Sequence, residues 1–234
     1  MQRKEKLFQT LKRIDGRGYK AYNDIKGNYD FETFTLHVDN VQRDPFAGPS
    51  LLRVEVSSKK AAFPSELLEN SHRITALEDY IARVFKSSIA KKVKGVGGSG
   101  HSGTFRIDSG GQEVLERTCI NIHEGNVELR FQVGLPAHGR RVMGKAATTI
   151  FRDILPVLVE SSCFHSNLQS VDVRKHVETY EDAEYIKGEL SGMGLVAFIA
   201  DGSILPRESG VSQCPLKDAV AFKSPDSMSV TIET

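Results

Sequence analysis

The chain has 234 residues, of which 39% are hydrophobic and 26% charged, and its formal net charge is +1. This composition is that of a globular protein with enough apolar material for one large domain or two small ones. The first residues are charged and lack the apolar stretch of a secretory leader, so none is expected, and no apolar run reaches the ~18 residues that a membrane span needs. Three cysteines without a C-x-x-C pair indicate reduced thiols, in the cytosol or an organelle matrix, rather than a zinc site or a disulfide framework.

Positive charge is concentrated at the start of the chain, where residues 1–26 hold eight lysines and arginines against three acids. Within this region the segment Ile14–Gly27 combines Arg17 and Lys20 with tyrosines. Cations interleaved with aromatic rings suit phosphate contact and base stacking. A tightly packed turn whose tyrosines cover the core explains the same pattern equally well.

Apolar periodicity predicts helices and strands along the whole chain. The first half contains a helix over 7–14, strands over 33–38 and 52–56, and a helix that starts at Ser65 and runs past Phe85. The second half contains a hairpin of strands over 118–123 and 127–135, helices over 143–158 and 173–190, and strands over Gly194–Asp201 and Met228–Thr234. We expect Pro156 to kink or end its helix. The pattern predicts an α+β fold with a mixed, mainly antiparallel sheet packed against several helices.

The densest glycine run, Gly95–Gly103, comes close to the phosphate-binding pattern G-x-x-x-x-G-K-[ST]. Its spacing fits, but His101 stands where the lysine should be, and the run leads into a strand instead of a helix. We therefore predict a mobile or ligand-contacting loop that is not an ATP-binding P-loop. The candidate residues for contact with phosphate or nucleic acid are Gly98, Ser99, Gly100, His101 and Ser102, together with Arg17, Lys20, Arg140 and Arg141. A degenerate nucleotide site in the same loop is the weaker alternative.

Two later segments are similar to ATPase motifs. Leu190–Gly194 resembles the signature loop of an ABC domain, and the apolar run that ends at Asp201 resembles a Walker B strand. A helix must separate those two motifs, and here the strand follows at once. We therefore predict that Ser191–Gly194 is a helix C-cap and turn. The histidines show no metal-ligand spacing, so no metal site or catalytic residue is predicted.

Five motifs together resemble the predicted ATPases of the ABC class. They are Ile14–Gly27, Asp44–Ser50, Gly111–Arg117, Phe131–Arg140 and Gly194–Gly210. The resemblance implies an N-terminal domain over residues 1–160 and the start of the ABC ATPase region over 161–234, ending in the first strand of an incomplete core. Members usually have lysine at the position of His101, which weakens a phosphate role for the glycine loop.

The same resemblance implies what the whole protein does. It implies ATP and Mg²⁺ as ligands, a homodimer, RNA as a partner through a basic channel, and no membrane. The family's Walker A loop follows the segment that matches Met228–Thr234, so this chain is expected to be a front portion that lacks catalysis and tight ATP binding by itself. The alternative function is an independent nucleic-acid-binding module that uses the basic and glycine-rich loops.

Overall fold

The computed structural model describes residues 1–93 and 96–233, and it has the α+β architecture that the sequence predicts. Seven strands form the main sheet in the order β1-β2-β3-β4-β7-β5, with β6 also paired to β7. Every pairing is antiparallel except that of β1 with β2. The strands are β1 Gln2–Arg3, β2 Gly27–Asp30, β3 Thr35–Asn40, β4 Ser50–Val56, β5 Phe105–Arg106, β6 Ile120–His123 and β7 Asn126–Val133, and a separate small hairpin joins β8 Ala137–His138 to β9 Arg141–Val142.

The helices are α1 Lys4–Ile14, α2 Ser58–Ala61, α3 Ser71–Lys92, α4 Gly144–Thr149, α5 Leu155–Cys163 and α6 Ser170–Glu189. Short 3₁₀ turns occur at Tyr19–Ile25, Ser65–Leu67 and His165–Asn167, and a π-helical turn, Ile150–Ile154, joins α4 to α5. This wider turn immediately precedes Pro156, which lacks an N–H, and the helix continues to Cys163. None of the helices within residues 1–93 and 96–233 is long and apolar enough to cross a bilayer.

The main sheet has one apolar and one polar face, as alternation along β4 and β7 predicts. Leu52, Val54, Leu129 and Phe131 point into the core, where the Phe131 ring lies 5.2 Å from that of Phe85 on α3. The opposite face carries a charged cluster in which Arg53 contacts Asp39, Glu55 and Glu128. The helices therefore cover a single face of the sheet.

Helix α3 begins later than predicted. The expected start at Ser65 is a single 3₁₀ turn, and the Asn70 side chain instead caps α3 by accepting from the Arg73 N–H at 2.9 Å. Arg73 also pairs with Glu181 of α6 at 2.8 Å. A second contact joins the same two helices: the ring of His176 on α6 lies 3.2 Å from the buried carboxylate of Asp79 on α3.

The chain beyond α6 differs from the sequence prediction. Ser191–Gly194 forms the predicted C-cap turn: Gly194 has a positive φ of 69° and Leu195 N–H donates to the Leu190 carbonyl at 2.8 Å. The strands predicted over Gly194–Asp201 and Met228–Thr234 are not formed among the described residues, and Thr234 lies outside them. A strand requires a neighbour for its backbone N–H and C=O groups, and no described strand pairs with either segment.

Candidate nucleic-acid interface

Four loops that are distant in sequence meet beyond the C-terminal end of β7. They comprise residues 15–20, 43–47, 96–104 and 134–142, and we call them the loop cluster. His101 N–H donates to the Pro45 carbonyl at 2.9 Å, and Ser99 N–H donates to the Ala137 carbonyl at 2.7 Å. Backbone groups thus hold the loops together, so the arrangement depends on close approach of the main chains.

Tyr19 and Tyr22 attach the first loop to the last. Both rings are buried, and their hydroxyls donate to the carbonyls of Leu135 at 2.9 Å and Pro136 at 2.7 Å. Burial raises the pKa of both phenols above the ordinary value. The idea that these tyrosines stack on bases is therefore wrong, and the packed-turn alternative is confirmed.

The glycine loop uses its polar groups internally. The Ser102 hydroxyl donates to the Ser99 carbonyl at 2.6 Å and accepts from the Ala137 N–H at 3.0 Å. The Ser99 hydroxyl accepts from the Gly139 N–H at 2.8 Å. In a phosphate-binding loop such groups face the ligand, whereas here they bind neighbouring loops. Gly95, the first glycine of the P-loop-like spacing, lies outside the described residues.

Close packing accounts for Gly98 and Gly100 of this loop. A Cβ on Gly98 would lie 2.7 Å from the Ala137 carbonyl oxygen, and one on Gly100 would lie 2.2 Å from that of Pro45. Gly100 also has a positive φ of 61°, which a side chain would strain. The loops approach too closely at these points for any larger residue.

The four predicted cations lie on the outside of the loop cluster. Arg17, Lys20, Arg140 and Arg141 are all exposed, and the Arg140 side chain is 79% accessible although it pairs with Asp44 at 3.1 Å. The first and last loops pair directly, since Gly18 bridges to Arg141. Cations separated by more than a hundred positions in sequence therefore belong to one surface.

Family models identify the protein's class. The model described as the N-terminal region of the ATPases of the ABC class matches residues 4–166. The chain belongs to this family. A second model, described as the P-loop domain of ABC ATPases, matches residues 169–234. No curated protein matches the chain.

Three of the five motifs that resemble the ABC-class ATPases meet in the loop cluster. They are Ile14–Gly27, Asp44–Ser50 and Phe131–Arg140. The pattern G-x-x-x-x-G-K-[ST] does not occur in the sequence, although the second family model covers residues 169–234. Most of the motifs that carry the resemblance to the ABC-class ATPases therefore lie in the loop cluster.

Two residues of the loop cluster, Asp44 and Phe46, were not identified from the sequence as candidates for binding. Asp44 and Phe46 lie in the motif Asp44–Ser50, which carried the family resemblance but in which no residue was assigned a binding role. The structure places Asp44 against Arg140 and leaves the Phe46 side chain outward, so that the residue is 65% exposed. An aromatic residue at the tip of a proline-bounded turn was the signal that could have identified it.

A groove of about 600 Å³ adjoins the loop cluster where α1 crosses α4. Lys12 and Lys145 line it, but so do Glu5, Asp15 and Asp153. The Asp15 carboxylate accepts from the Gly144 N–H at 2.6 Å, at the first turn of α4. The mixed charge shows that the groove does not extend the basic surface. Among the residues that the structure describes, no group of three or more His, Cys, Asp or Glu side chains could hold a metal ion.

Proposed function

We propose that this chain is the N-terminal portion of an ABC-class ATPase and that its loop cluster binds RNA. The supporting observation is the convergence of Arg17, Lys20, Arg140 and Arg141 on the outside of loops fixed by backbone hydrogen bonds. Phosphate neutralisation by lysine and arginine supplies most of the affinity of sequence-independent nucleic-acid binding. Because hydrogen bonds already fix the loop backbone, RNA binding does not have to order that backbone and loses less entropy.

The proposed division of the chain follows the family matches. One model ends at residue 166 and the other begins at 169, so we place the junction between the two parts between α5 and α6, slightly after the boundary at 160 that the sequence suggests. The alternative, an independent nucleic-acid-binding module, would use the same surface. The match to a P-loop domain over 169–234 favours the ATPase assignment.

ATP turnover is assigned to a site other than the glycine loop. The Ser102 hydroxyl and the Ser99 N–H, which would contact Mg²⁺ or phosphate in a P-loop, donate to carbonyl groups of the loop cluster. The purified chain should therefore show no magnesium-dependent ATP hydrolysis. Hydrolysis that is lost on His101→Ala substitution would contradict this assignment.

RNA binding is tested with a labelled oligouridine of about 20 nucleotides, longer than the ~4–16 nucleotides that one small site covers. The dissociation constant is measured by fluorescence anisotropy at several salt concentrations. Binding should weaken steeply with salt, because counterions are released. The double variant Arg140→Ala/Arg141→Ala should bind more weakly, and its log–log salt slope should fall by roughly 1–2.

The matched control is Lys59→Ala/Lys60→Ala, which removes two exposed cations from α2. Helix α2 adjoins the start of β7, where Ser58 N–H donates to the Asn126 side chain, whereas the loop cluster follows the end of that strand. The eight residues of β7, roughly 26 Å of extended chain, separate the strand ends at which the two sites lie. Equal losses in both double variants would indicate general charge attraction and remove the proposal, as would no binding at low salt.

The family also suggests how the whole protein works. We propose ATP and Mg²⁺ as its ligands, a homodimer as its assembly, and the cytoplasm or an organelle matrix as its location. Light scattering of the full-length protein, with and without ATP, measures the assembly. A full-length protein that stays monomeric under both conditions would contradict the dimer.

A further inference from the structure

Phe46 is an exposed aromatic residue inside the basic loop cluster. It is 65% exposed, in contrast to Tyr19 and Tyr22 of the neighbouring loop, which are buried. Single exposed hydrophobic residues are ordinary on protein surfaces. Phe46 differs because Asp44, two residues before it, pairs with Arg140, and because hydrogen bonds fix the loop that carries it.

Hydrogen bonds and an ion pair hold the turn that carries Phe46 in place. Phe46 N–H donates to the Asp44 carboxylate at 3.0 Å, and the other oxygen of this carboxylate lies 3.1 Å from the Arg140 guanidinium group. The preceding Pro45 carbonyl accepts from the His101 N–H at 2.9 Å. Asp44 thus links the backbone of the aromatic residue to one of the proposed phosphate-binding arginines.

The glycine loop lies directly beside the ring. A Cβ on Gly100 would come within 3.1 Å of the Phe46 ring, so the lack of a side chain there lets the two loops approach. One edge of the ring, at Cδ1, therefore lies beside Gly100, and the residue as a whole is 65% exposed. A ring supported on one side and open on the other is suited to contact with a second flat group.

We propose that Phe46 is a base-stacking residue and that the loop cluster therefore prefers single-stranded over double-stranded nucleic acid, an inference that rests on the proposed RNA-binding function. An exposed benzene ring whose turn is linked through Asp44 to the Arg140 guanidinium matches a nucleotide, in which a base and its phosphate are only a few bonds apart. Every base offers a flat face, so stacking adds affinity without sequence preference. Bases within a duplex are already stacked on each other, so the ring gains no such contact there.

The first test compares Phe46→Ala with the wild-type chain on the same oligouridine and on a duplex of equal length. Loss of one stacked base should weaken single-strand binding by about 5-fold to 100-fold, with the salt slope unchanged because no cation is removed. Duplex binding should stay the same. Val171→Ala is the matched control, since it removes an exposed apolar side chain from α6.

The second test exploits the absence of tryptophan from the sequence. Phe46→Trp places a single fluorescent ring at the site, and stacking on a base should quench its emission on addition of oligouridine. Val171→Trp, on α6, should not respond. Because the Phe46 side chain is exposed, circular dichroism of both variants should match that of the wild type.

The outcomes separate this inference from the function on which it rests. If Arg140→Ala/Arg141→Ala weakens RNA binding while Phe46→Ala does not, the basic surface stands and the stacking role is overturned. Equal weakening of strand and duplex by Phe46→Ala would also overturn it, because the ring would then act only by shaping the loop. If the wild-type chain binds no RNA at low salt, both proposals fail.

Discussion

The side chain of Glu78 accepts a hydrogen bond from a backbone N–H at an edge of the sheet. Strand β6 pairs with β7 on one side only, and Glu78 of α3 accepts the outward N–H of Ile122 at 2.6 Å. The residue is only 6% exposed, and its burial raises the pKa of the carboxyl group to about 7, despite the opposing effect of the Ile122 hydrogen bond. An edge N–H is thereby satisfied by a carboxyl that is partly protonated near neutral pH.

This pKa has a consequence for stability. Because the folded pKa lies above the ordinary value of 4.5, the folded state retains a proton between pH 4.5 and 7 that the unfolded state loses. The contribution of Glu78 to stability therefore falls as pH rises through this window and is constant above it. The free energy of unfolding of Glu78→Gln, relative to that of the wild type, should increase by about 1–3 kcal/mol between pH 4.5 and 8.

Urea denaturation at a series of pH values measures the difference in unfolding free energy between Glu78→Gln and the wild type. Groups that titrate in both proteins contribute equally, so their effect cancels in this difference. The glutamine oxygen still accepts from Ile122, so the hydrogen bond is retained. Glu160→Gln, at an exposed position on α5, is the control and should show no such pH dependence. A flat difference for Glu78→Gln would show that the carboxyl ionises freely in the fold.

Residue-scale analysis of the sequence left open whether the tyrosines of the first loop belong to the core or to the surface. Tyr19, Tyr22 and Ile25 are all buried and occur at intervals of three. This is the repeat of a 3₁₀ helix, in which residues i and i+3 lie on one face. The signal was present in the sequence, but a seven-residue 3₁₀ segment is uncommon, and the glycines before it indicated a loop.

At the scale of elements, the end of β7 determines how the loops pack. A Cβ on Gly134 would lie 1.7 Å from the His101 carbonyl oxygen, a main-chain atom that cannot rotate away. Gly134→Ala should therefore push the glycine loop off the end of the strand and destabilise the fold by about 3 kcal/mol or more. Thermal unfolding followed by circular dichroism measures the effect.

Gly48→Ala is the matched control for this substitution. A Cβ at Gly48 meets no atom within 4 Å, and its φ is not positive, so its stability should change by no more than about 1 kcal/mol. If Gly134→Ala unfolds at the same temperature as Gly48→Ala, the glycine loop is not packed against β7. RNA binding of the folded fraction of Gly134→Ala would then also remain normal.

Among residues 1–189, the elements with regular periodicity were predictable, whereas the start of α3 was not. The hairpin of β6 and β7 was correctly anticipated because apolar residues alternate on both sides of the Glu124–Gly125 turn. The N-cap of α3 was placed five residues early, at Ser65 instead of Asn70, because both residue types are good N-caps. Convergence of the loops was not predictable from spacing, since it depends on contacts between segments far apart in the chain.

At the scale of the whole molecule, packing is uneven along the chain. The core contains residues from α1 to α6, ending with Val173 and Val177, whereas Val196, Val211 and Val220 are more than 90% exposed. The sequence predicted strands in this last region from the apolar run that ends at Asp201 and from apolar alternation over Met228–Thr234. Alternation indicates that one face can be buried, but it does not supply the partner that buries it.

Limited proteolysis should follow this division. Arg207, Lys217 and Lys223 are exposed in a segment without regular helix or strand, so trypsin should cut there first and leave a product, residues 1–207, that resists further cleavage. Helix α6 remains attached in that product because Arg73 and Asp79 of α3 pair with Glu181 and His176.

The melting temperature of the purified product should equal that of the intact chain, because the removed segment contributes no buried hydrophobic residue to the described core. Mass spectrometry identifies the cleavage sites, and calorimetry compares the two unfolding transitions. Protection of all three basic sites, or a lower melting temperature after cleavage, would mean that residues beyond α6 pack against the domain in solution. Cleavage that slows when RNA is added would in addition place these residues close to the bound strand.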